Sequence, residues 1–220
     1  MRQRNVKNQD EILNTSAKYV KEPQNNKGNW KKEEYKEVHL EIGIGKGAFI
    51  SEKARRNPEI LFVGIELNKG VASLAIKKIG RFEEENSITL NNLKVIDFDA
   101  LKLQEIFEEN EVDKIYLNFS DPWPKKKHEK RRLTSDSFLE VYKNILKNDS
   151  VIEMKTDNRY LFEYTLKNIN KNKLSIEYLS LNLHKDIEDG KLKDEEPNIV
   201  TEYEEKFSKF GPIYKCIMKF

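Results

Sequence analysis

From residue 37 onwards, short apolar segments alternate with longer segments whose apolar residues recur at helical spacing. The apolar segments predict strands over 38–42, 60–65, 93–98, 115–119, 151–154, 174–183 and 213–220. The helical spacing predicts helices near 48–57, 71–82, 103–107, 134–146, 161–169 and 202–210, with Thr134 as a helix cap. Strands that alternate with helices form a mostly parallel sheet with helices on both faces. Since no long helix separates the last two strands, we expect the final strand to be antiparallel. The sequence thus predicts an α/β fold around a seven-stranded sheet.

The chain has 220 residues, enough for one domain of this kind. Its first part is polar, and we predict that residues 1–35 form a basic arm or a short helical extension. Residues 36–220 are predicted to form a single domain. An acidic, polar stretch from Lys185 to Asn198 separates the last two strands and is expected to be a flexible loop.

Charge and composition exclude several classes of protein. The formal net charge is only +2, so a nucleic-acid-binding surface has to be local. The single cysteine, Cys216, excludes an intramolecular disulfide and a cysteine-based zinc site, and we expect it in the core. His39, His128 and His184 lack the spacing of metal ligands, so no metal site is predicted. No apolar run approaches the length of about 18 residues that a membrane helix needs, and the N-terminus is polar and basic. A cytoplasmic protein with no membrane contact is expected.

A glycine-rich turn follows the first predicted strand. Gly43, Gly45 and Gly47 stand at alternate positions, and Glu41 precedes them. Glycine permits a tight turn and a close approach of a ligand to the backbone, and the next helix begins with free amide donors. The dinucleotide fingerprint requires G-x-G-x-x-G, so the spacing argues against a nicotinamide-dependent oxidoreductase. It favours a nucleoside without a pyrophosphate, and nearby carboxylates suit the sulfonium and amino groups of S-adenosylmethionine.

Acidic residues follow the next two predicted strands as well. Glu66 ends the second strand, where a carboxylate can accept hydrogen bonds from both ribose hydroxyls. Asp99 follows the third strand and can accept a hydrogen bond from an adenine amino group, with Asp97 as a competitor for that role. Together with Glu41, these residues lie where open α/β sheets bind ligands, in the crevice at the carboxyl ends of the strands.

The fourth predicted strand leads into the segment 118–124, Asn-Phe-Ser-Asp-Pro-Trp-Pro. Asp121 lies beside the predicted cofactor, and Pro122 and Pro124 stiffen the loop that holds it. The carboxylate of Asp121 can accept hydrogen bonds from the edge of an unstacked base. Trp123 either stacks on such a base or packs the loop down.

A basic run follows at once, at residues 125–132. Its six basic residues can neutralise phosphates, although a solvated charged loop is the simpler alternative. The position beside the crevice favours RNA. Two further segments, 155–158 (Lys-Thr-Asp-Asn) and 201–204 (Thr-Glu-Tyr-Glu), end the fifth strand and begin the last helix, so we expect them on the rim of the crevice.

With these segments in view, the chain resembles the bacterial tRNA (guanine-N7-)-methyltransferase family of the TrmB type. The matching segments follow one another in order at 41–47, 64–66, 116–125, 130–134, 155–158 and 201–207. The resemblance implies a class I S-adenosylmethionine-dependent methyltransferase (Rossmann-like) fold. It implies S-adenosylmethionine as the cofactor and transfer of a methyl group to N7 of a guanine in the tRNA variable loop. Monomer and homodimer both stay open.

The resemblance also implies roles for single residues. The implied cofactor-binding residues are Glu41, Gly43, Gly45, Glu66, Asp99 and Asp121, and Asp121 is the implied catalytic residue. The implied substrate contacts are Lys125, Asp157, Thr201, Glu202, Tyr203 and Glu204. The implied RNA contacts are Lys127, His128, Glu129, Lys130, Arg131 and Arg132. The acidic stretch 185–198 is longer than the family pattern leads us to expect.

Two alternatives stay open at this point. One is a methyltransferase that acts on another RNA base, an amine, a protein or a small molecule, since Asp-Pro-Trp loosely resembles the acid-Pro-Pro-aromatic motif of amino-group methylators. The other is a non-catalytic RNA-binding module with a vestigial pocket. Acids retained at four predicted strand ends argue against the second alternative.

Overall fold

The computed structural model describes residues 6–191 and 197–220. Its strands are β1 (Glu37–Ile42), β2 (Ile60–Glu66), β3 (Leu93–Asp97), β4 (Val112–Asn118), β5 (Leu146–Thr156), β6 (Ser175–Ser180) and β7 (Tyr214–Lys219). Its α-helices are α1 (Gln9–Asn14), α2 (Ala48–Arg56), α3 (Lys69–Asn86), α4 (Asp136–Ile145), α5 (Arg159–Lys171), α6 (Leu183–Glu188) and α7 (Glu202–Phe207). Short 3-10 helices lie at Pro23–Asn26, Ala100–Glu105, Lys126–Arg131 and Ser208–Phe210.

The strands form one seven-stranded sheet in the order β3-β2-β1-β4-β5-β7-β6. The five strands from β3 to β5 are parallel, whereas β7 runs antiparallel to both β5 and β6. The predicted mostly parallel sheet with an antiparallel last strand is therefore confirmed.

Helices cover both faces of the sheet, as predicted. On one face, α4, α5 and the 3-10 helix Ala100–Glu105 pack against a cluster that contains Leu40 and Ile115 of the central strands. On the other face, α2 and α3 pack around Phe62 and Val95. Because alternate residues of a strand point to opposite faces, the parallel strands are apolar on both sides and buried almost throughout.

The order of the strands places a crevice at the centre of the sheet. The chain builds β1, β2 and β3 outwards in one direction, and β4 then returns to the other side of β1. The loops that follow β1 and β4 consequently diverge above the carboxyl ends of these two strands. Open α/β sheets bind ligands at such a switch point.

The described part of the N-terminal segment packs on this domain. Leu13 of α1 is buried in the cluster beneath α3, and Trp30 is buried against Phe107 on the opposite face. Tyr19 forms a parallel bridge with Val95 at the edge strand β3. Whether residues 1–35 act as a separate arm stays a prediction, and residues 1–5 lie outside the described part.

Five predictions about single elements differ from the observed structure. The predicted strand 174–183 is too long, because Asn182 caps α6 by accepting a hydrogen bond from the Lys185 amide. The predicted loop 185–198 therefore begins as a helix, and its central residues 192–196 lie outside the described ranges. Thr134 does not cap α4. It is buried and bonded to Thr165, and Ser135 precedes the helix.

The other two differences concern the extent and type of an element. The predicted strand 151–154 extends over the whole of β5, and the predicted helix 103–107 is the 3-10 helix Ala100–Glu105. Cys216 is buried in β7, as expected. Among the described residues, no helix is both long enough and apolar enough to cross a membrane.

Candidate active site

The glycine-rich turn after β1 forms the floor of the crevice. Gly43 and Gly45 have φ angles of 78° and 54°, in the left-handed region that favours glycine. A Cβ atom at either position would meet nothing within 4 Å, so the backbone conformation, rather than crowding, requires glycine. The Gly45 amide donates to Glu66 Oε2 at 3.3 Å and ties the turn to the end of β2. The open space above the two glycines is available to a ligand.

Glu41 and Asn118 meet at the boundary between β1 and β4. Asn118 Nδ2 donates to Glu41 Oε1 at 2.9 Å. The second oxygen of Glu41, Asn118 Oδ1 and Ser120 Oγ are all buried without a hydrogen-bond partner among the described residues. Burial raises the pKa of Glu41 to about 8, against the opposing effects of Asn118 and Lys155. Buried polar atoms without partners are rare and costly, so this cluster is suited to receive the polar groups of a bound molecule.

Glu66 and Asp121 bring two more carboxylates to the same crevice. Glu66 is partly buried at the end of β2 and accepts hydrogen bonds from the amides of Gly45 and Asn68. Burial raises its pKa, and the negative charge of Asp121 adds to the effect. Asp121 itself is exposed. Carboxylates thus lie at the ends of β1, β2 and β4, as the sequence predicts.

The structure separates the two aspartates at the end of β3. Tyr19 Oη donates to Asp97 Oδ1 at 2.5 Å, and burial together with Asp97 raises the pKa of this phenol. Asp99 is partly exposed and caps the following 3-10 helix by accepting a hydrogen bond from the Leu101 amide. Because Asp97 already accepts a hydrogen bond from Tyr19, Asp99 is the better candidate for the adenine contact. That assignment stays a prediction.

The loop that carries Asp121 is held in an uncommon conformation. Phe119 and Trp123 have φ angles of 51° and 42°, although bulky residues rarely adopt positive φ. Arg132 supports the loop from below: its Nε donates to the Pro122 carbonyl at 3.1 Å and its Nη2 to the Trp123 carbonyl at 3.0 Å. Strained backbone of this kind persists only where the surrounding structure fixes it.

The predicted RNA contact of Arg132 needs correction. Its side chain is only 1% exposed, and its guanidinium stacks on the Tyr164 ring at 4.2 Å and on the Tyr160 ring at 4.9 Å. The guanidinium is thus shielded from solvent and bound to protein groups. The structure makes Arg132 a support for the Asp121 loop.

The rest of the basic run lies on the surface. Lys125, Lys126, Lys127, Lys130 and Arg131 are exposed. The Trp123 ring packs under this run, with the Arg131 guanidinium 4.8 Å from its centroid and the His128 ring edge-on at 5.6 Å. This packing favours the structural alternative for Trp123. It leaves five cations next to the crevice, and their contact with RNA stays a prediction.

Only some side chains of the rim segment 201–204 face the crevice. Thr201 Oγ1 accepts a hydrogen bond from the Glu204 amide and caps α7. Glu202 forms an ion pair with Lys78 of α3. Tyr203 Oη donates to Asp157 Oδ2 at 3.3 Å, so these two predicted substrate residues do meet.

Glu204, predicted to contact the substrate, is instead fully buried. Its carboxylate accepts hydrogen bonds from Lys155 Nζ at 2.8 Å, His184 Nε2 at 2.9 Å and Asn198 Nδ2 at 2.9 Å. Burial alone raises the pKa of a carboxyl group, but these partners, with Lys155 first, outweigh it and lower the pKa of Glu204. The side chain anchors α7 to β5 and does not face the crevice.

Several residues of the site were not predicted from sequence. Asn118 and Ser120 belong to the motif around Asp121, but no role was assigned to them. Lys155 was noted only as part of a rim motif, although its fully buried ammonium pairs with Glu204 and donates to the Ile199 carbonyl. A lysine at the end of an apolar strand was the one signal that could have indicated a buried partner.

The crevice fits a cationic, nucleoside-containing ligand. It offers three carboxylates, unpaired buried acceptors and an open glycine turn. Among the described residues, no cluster of histidine, cysteine, aspartate and glutamate side chains is suited to hold a metal ion.

Solved structures with the same fold define the class of protein. A structure titled "Structure of an antibiotic related Methyltransferase" superimposes with a TM-score of 0.58 at 16% identity, over 84% of this chain and 87% of that one. A 16S rRNA (adenine(1408)-N(1))-methyltransferase variant from Catenulisporales acidiphilia, determined with cosubstrate SAM, gives a TM-score of 0.56 at 9% identity, over 96% and 90% of the two chains. The fold is that of the class I S-adenosylmethionine-dependent methyltransferases.

Sequence comparison gives the particular family. The methyltransferase family model Methyltransf_4, described as "Putative methyltransferase", matches residues 35–216. The tRNA (guanine-N(7)-)-methyltransferase of Oceanobacillus iheyensis is 46% identical, over 98% of this chain and 97% of its own length. The enzyme of the same name from Bacillus subtilis is 43% identical over the same shares. The chain belongs to the tRNA (guanine-N(7)-)-methyltransferase family.

Proposed function

We propose that this protein transfers a methyl group from S-adenosylmethionine to N7 of a guanine in the variable loop of tRNA, giving 7-methylguanosine. The observation that carries the proposal is that three carboxylates and a cluster of unpaired buried acceptors meet at the β1–β4 switch point. The chain is also 46% identical to the tRNA (guanine-N(7)-)-methyltransferase of Oceanobacillus iheyensis. The reaction would take place in the cytoplasm, with tRNA as the partner.

The cofactor would be held by Glu41, Glu66, Asp99 and Asp121, with the backbone of Gly43 and Gly45 beneath it. S-Adenosylmethionine, when bound, supplies the methyl group. The orphaned oxygen of Glu41 and the two acceptors beside it can receive donors, and the negative charge of the crevice suits a cation. The exposed part of the basic run would bind the tRNA backbone and position the substrate without reading its sequence.

Guanine N7 carries a lone pair and no proton, so no general base is needed before the methyl group moves. The enzyme would therefore act by alignment and by electrostatic stabilisation. Methylation makes the purine ring cationic, and the exposed carboxylate of Asp121 would stabilise that developing charge. Tyr203 and Asp157, which contact each other on the rim, would hold the edge of the guanine.

The first test is methyl transfer from labelled S-adenosylmethionine to unmodified tRNA transcripts, followed by nucleoside analysis. The expected product is 7-methylguanosine, and it should disappear when the variable-loop guanine is replaced by adenine. A methyl group on another atom would support the base or amine alternative. Cofactor binding without transfer to any RNA would support the non-catalytic alternative.

Replacing Asp121 by asparagine tests the electrostatic role. Since asparagine keeps the size but removes the charge, Asp121→Asn should lower kcat about a hundredfold, in the range found for other electrostatic catalytic groups. Single-turnover methylation at saturating tRNA and cofactor measures the step directly. If Asp121→Asn keeps both its turnover and its tRNA affinity, Asp121 does not have this role.

A further inference from the structure

Four aromatic rings form a row that leads from the crevice to the surface: Phe119, Tyr203, Phe207 and Phe210. The ring centroids of Phe119 and Tyr203 lie 5.0 Å apart, and those of Tyr203 and Phe207 lie 4.3 Å apart in a stacked arrangement. Phe207 and Phe210 follow at 6.4 Å. We call these residues the aromatic row.

The outer end of the aromatic row is its most exposed part, although Phe207 before it is partly buried. Phe119 is partly buried and lies two residues before Asp121. Tyr203 is 42% exposed, and Phe210 at the outer end is 81% exposed. A single exposed apolar residue is common on protein surfaces, but a continuous set that begins at a binding site marks an interaction surface.

Near the outer end of the aromatic row, most charged side chains without an ion pair among the described residues are positive. Glu202 and Glu204 pair with Lys78 and Lys155. Lys206, whose ammonium lies 5.5 Å from the Phe207 centroid, and Lys209 form no ion pair within the described ranges. After Glu202 and Glu204 are paired, the exposed Glu205 is the one acid left in the segment 201–210 to balance the charge of these two lysines.

The segment that carries the row is also held in place before any ligand binds. The Thr201 cap, the Lys155–Glu204 ion pair and the Lys78–Glu202 ion pair fix α7 to β5 and α3. A helix anchored in this way holds the backbone beside the outer rings in place, which reduces the conformational freedom lost when a partner binds.

We propose that Phe210, the exposed ring at the outer end of the aromatic row, stacks on an unpaired base of the substrate RNA that flanks the target guanine. Flat rings beside lysines match the chemistry of a nucleotide, because the rings stack on the base and the ammonium groups neutralise the phosphate. Continuity with Tyr203 and Phe119 places this second base next to the one that enters the crevice. The inference rests on the proposed function and adds to it a second nucleotide subsite.

The test compares Phe210→Ala and Phe210→Leu with the wild type. Leucine keeps apolar area but loses the flat ring, so both variants should raise the KM for tRNA about 5- to 20-fold, within the range for loss of one base–aromatic stack. The Kd for S-adenosylmethionine should not change. Phe220→Ala is the matched control. Phe220 is also exposed, but it follows Lys219, which pairs with Val151, and so lies away from the carboxyl ends of the parallel strands that form the crevice.

A second measurement reports stacking itself. 2-Aminopurine is placed in the tRNA transcript on either side of the target guanine, and its fluorescence is followed during titration with enzyme. Wild type and Phe220→Ala should quench the probe at one of these positions, and Phe210→Ala should not. Equal quenching and an equal KM in Phe210→Ala and wild type would overturn the inference.

The two proposals fail in different ways. If the wild type forms no 7-methylguanosine, the proposed function fails before the variants are compared. If the wild type is active and its mass by sedimentation falls on Phe210→Ala substitution, the ring contacts a second copy of the chain, and the nucleotide subsite is wrong.

Discussion

At the scale of single residues, Arg132 and Lys127 lie in the same basic run but in opposite surroundings. Arg132 is buried and donates to two carbonyls of the Asp121 loop, whereas Lys127 is exposed. Charge in the sequence does not distinguish them, because burial depends on the tyrosines of α5. Their substitutions should therefore have different effects.

We expect Arg132→Gln to lower kcat by about tenfold or more and to destabilise the fold by about 1–3 kcal/mol, because two partly buried carbonyls lose a charged donor. For this variant, the slope of log tRNA affinity against log salt concentration should equal that of the wild type. Lys127→Gln should keep kcat but reduce that salt slope by about 0.7–0.9, the contribution of one phosphate contact. Salt titrations of tRNA binding and saturating kcat measurements separate the two roles. A reduced salt slope in Arg132→Gln would instead support the original prediction that Arg132 contacts a phosphate.

Glu41 gives a prediction about the pH dependence of cofactor binding. Its pKa, raised to about 8 by burial, means that the free enzyme carries this group protonated at neutral pH. A cationic ligand binds the ionised form, so binding releases a proton. The affinity for S-adenosylmethionine should rise with pH, approaching tenfold per unit below the pKa. Glu41→Gln should bind more weakly with a flatter profile, measured by calorimetry. An unchanged profile in Glu41→Gln would assign the pH dependence to another group.

At the scale of elements, the buried Lys155–Glu204 pair attaches α7 to the end of β5. Both side chains are almost fully buried, and the ammonium also donates to the Ile199 carbonyl. Removing one partner of a buried pair leaves an uncompensated charge. The aromatic row and Tyr203 depend on the position of this helix.

Lys155→Met alone should therefore destabilise the protein by about 3–5 kcal/mol, measured by urea unfolding. Lys155→Met combined with Glu204→Leu should recover much of this loss, because no buried charge is left unpaired. The double variant should still have a raised KM for tRNA, since α7 loses its fixed position. Additive losses in the double variant would mean that the two side chains act independently.

At the scale of the whole molecule, buried carboxylates set how stability changes with pH. Burial alone would raise the pKa of Glu153, but Lys114 at 2.9 Å and Lys215 at 3.1 Å lower it to about 2. The pKa of Glu204 is lowered in the same sense. Glu41 has the opposite shift, to about 8.

The signs of these shifts predict a maximum of stability in mildly acidic solution. Glu153 and Glu204 have folded pKa values below the unfolded value of 4.5, so their contribution is lost as pH falls from there toward about 2. Glu41 has a folded pKa above the unfolded value, so its contribution is lost as pH rises from 4.5 to about 8. Urea unfolding across this range should show both declines. Glu153→Gln should reduce the loss of stability below pH 4.5, and Glu41→Gln should reduce the loss between pH 4.5 and about 8. Equal slopes in variant and wild type would assign the declines to other groups.

The sequence by itself determined the order of strands and helices, the antiparallel last strand and the acids at the strand ends. These features follow from local patterns, because apolar periodicity and glycine spacing act over a few residues. Only the tertiary structure decided which polar residues are buried. Arg132, Glu204 and Lys155 are fixed by partners many positions away in the chain, and α6 begins where Asn182 supplies a cap inside a predicted strand. Whether a charged side chain meets solvent or a buried partner depends on packing between distant segments, which no local pattern records.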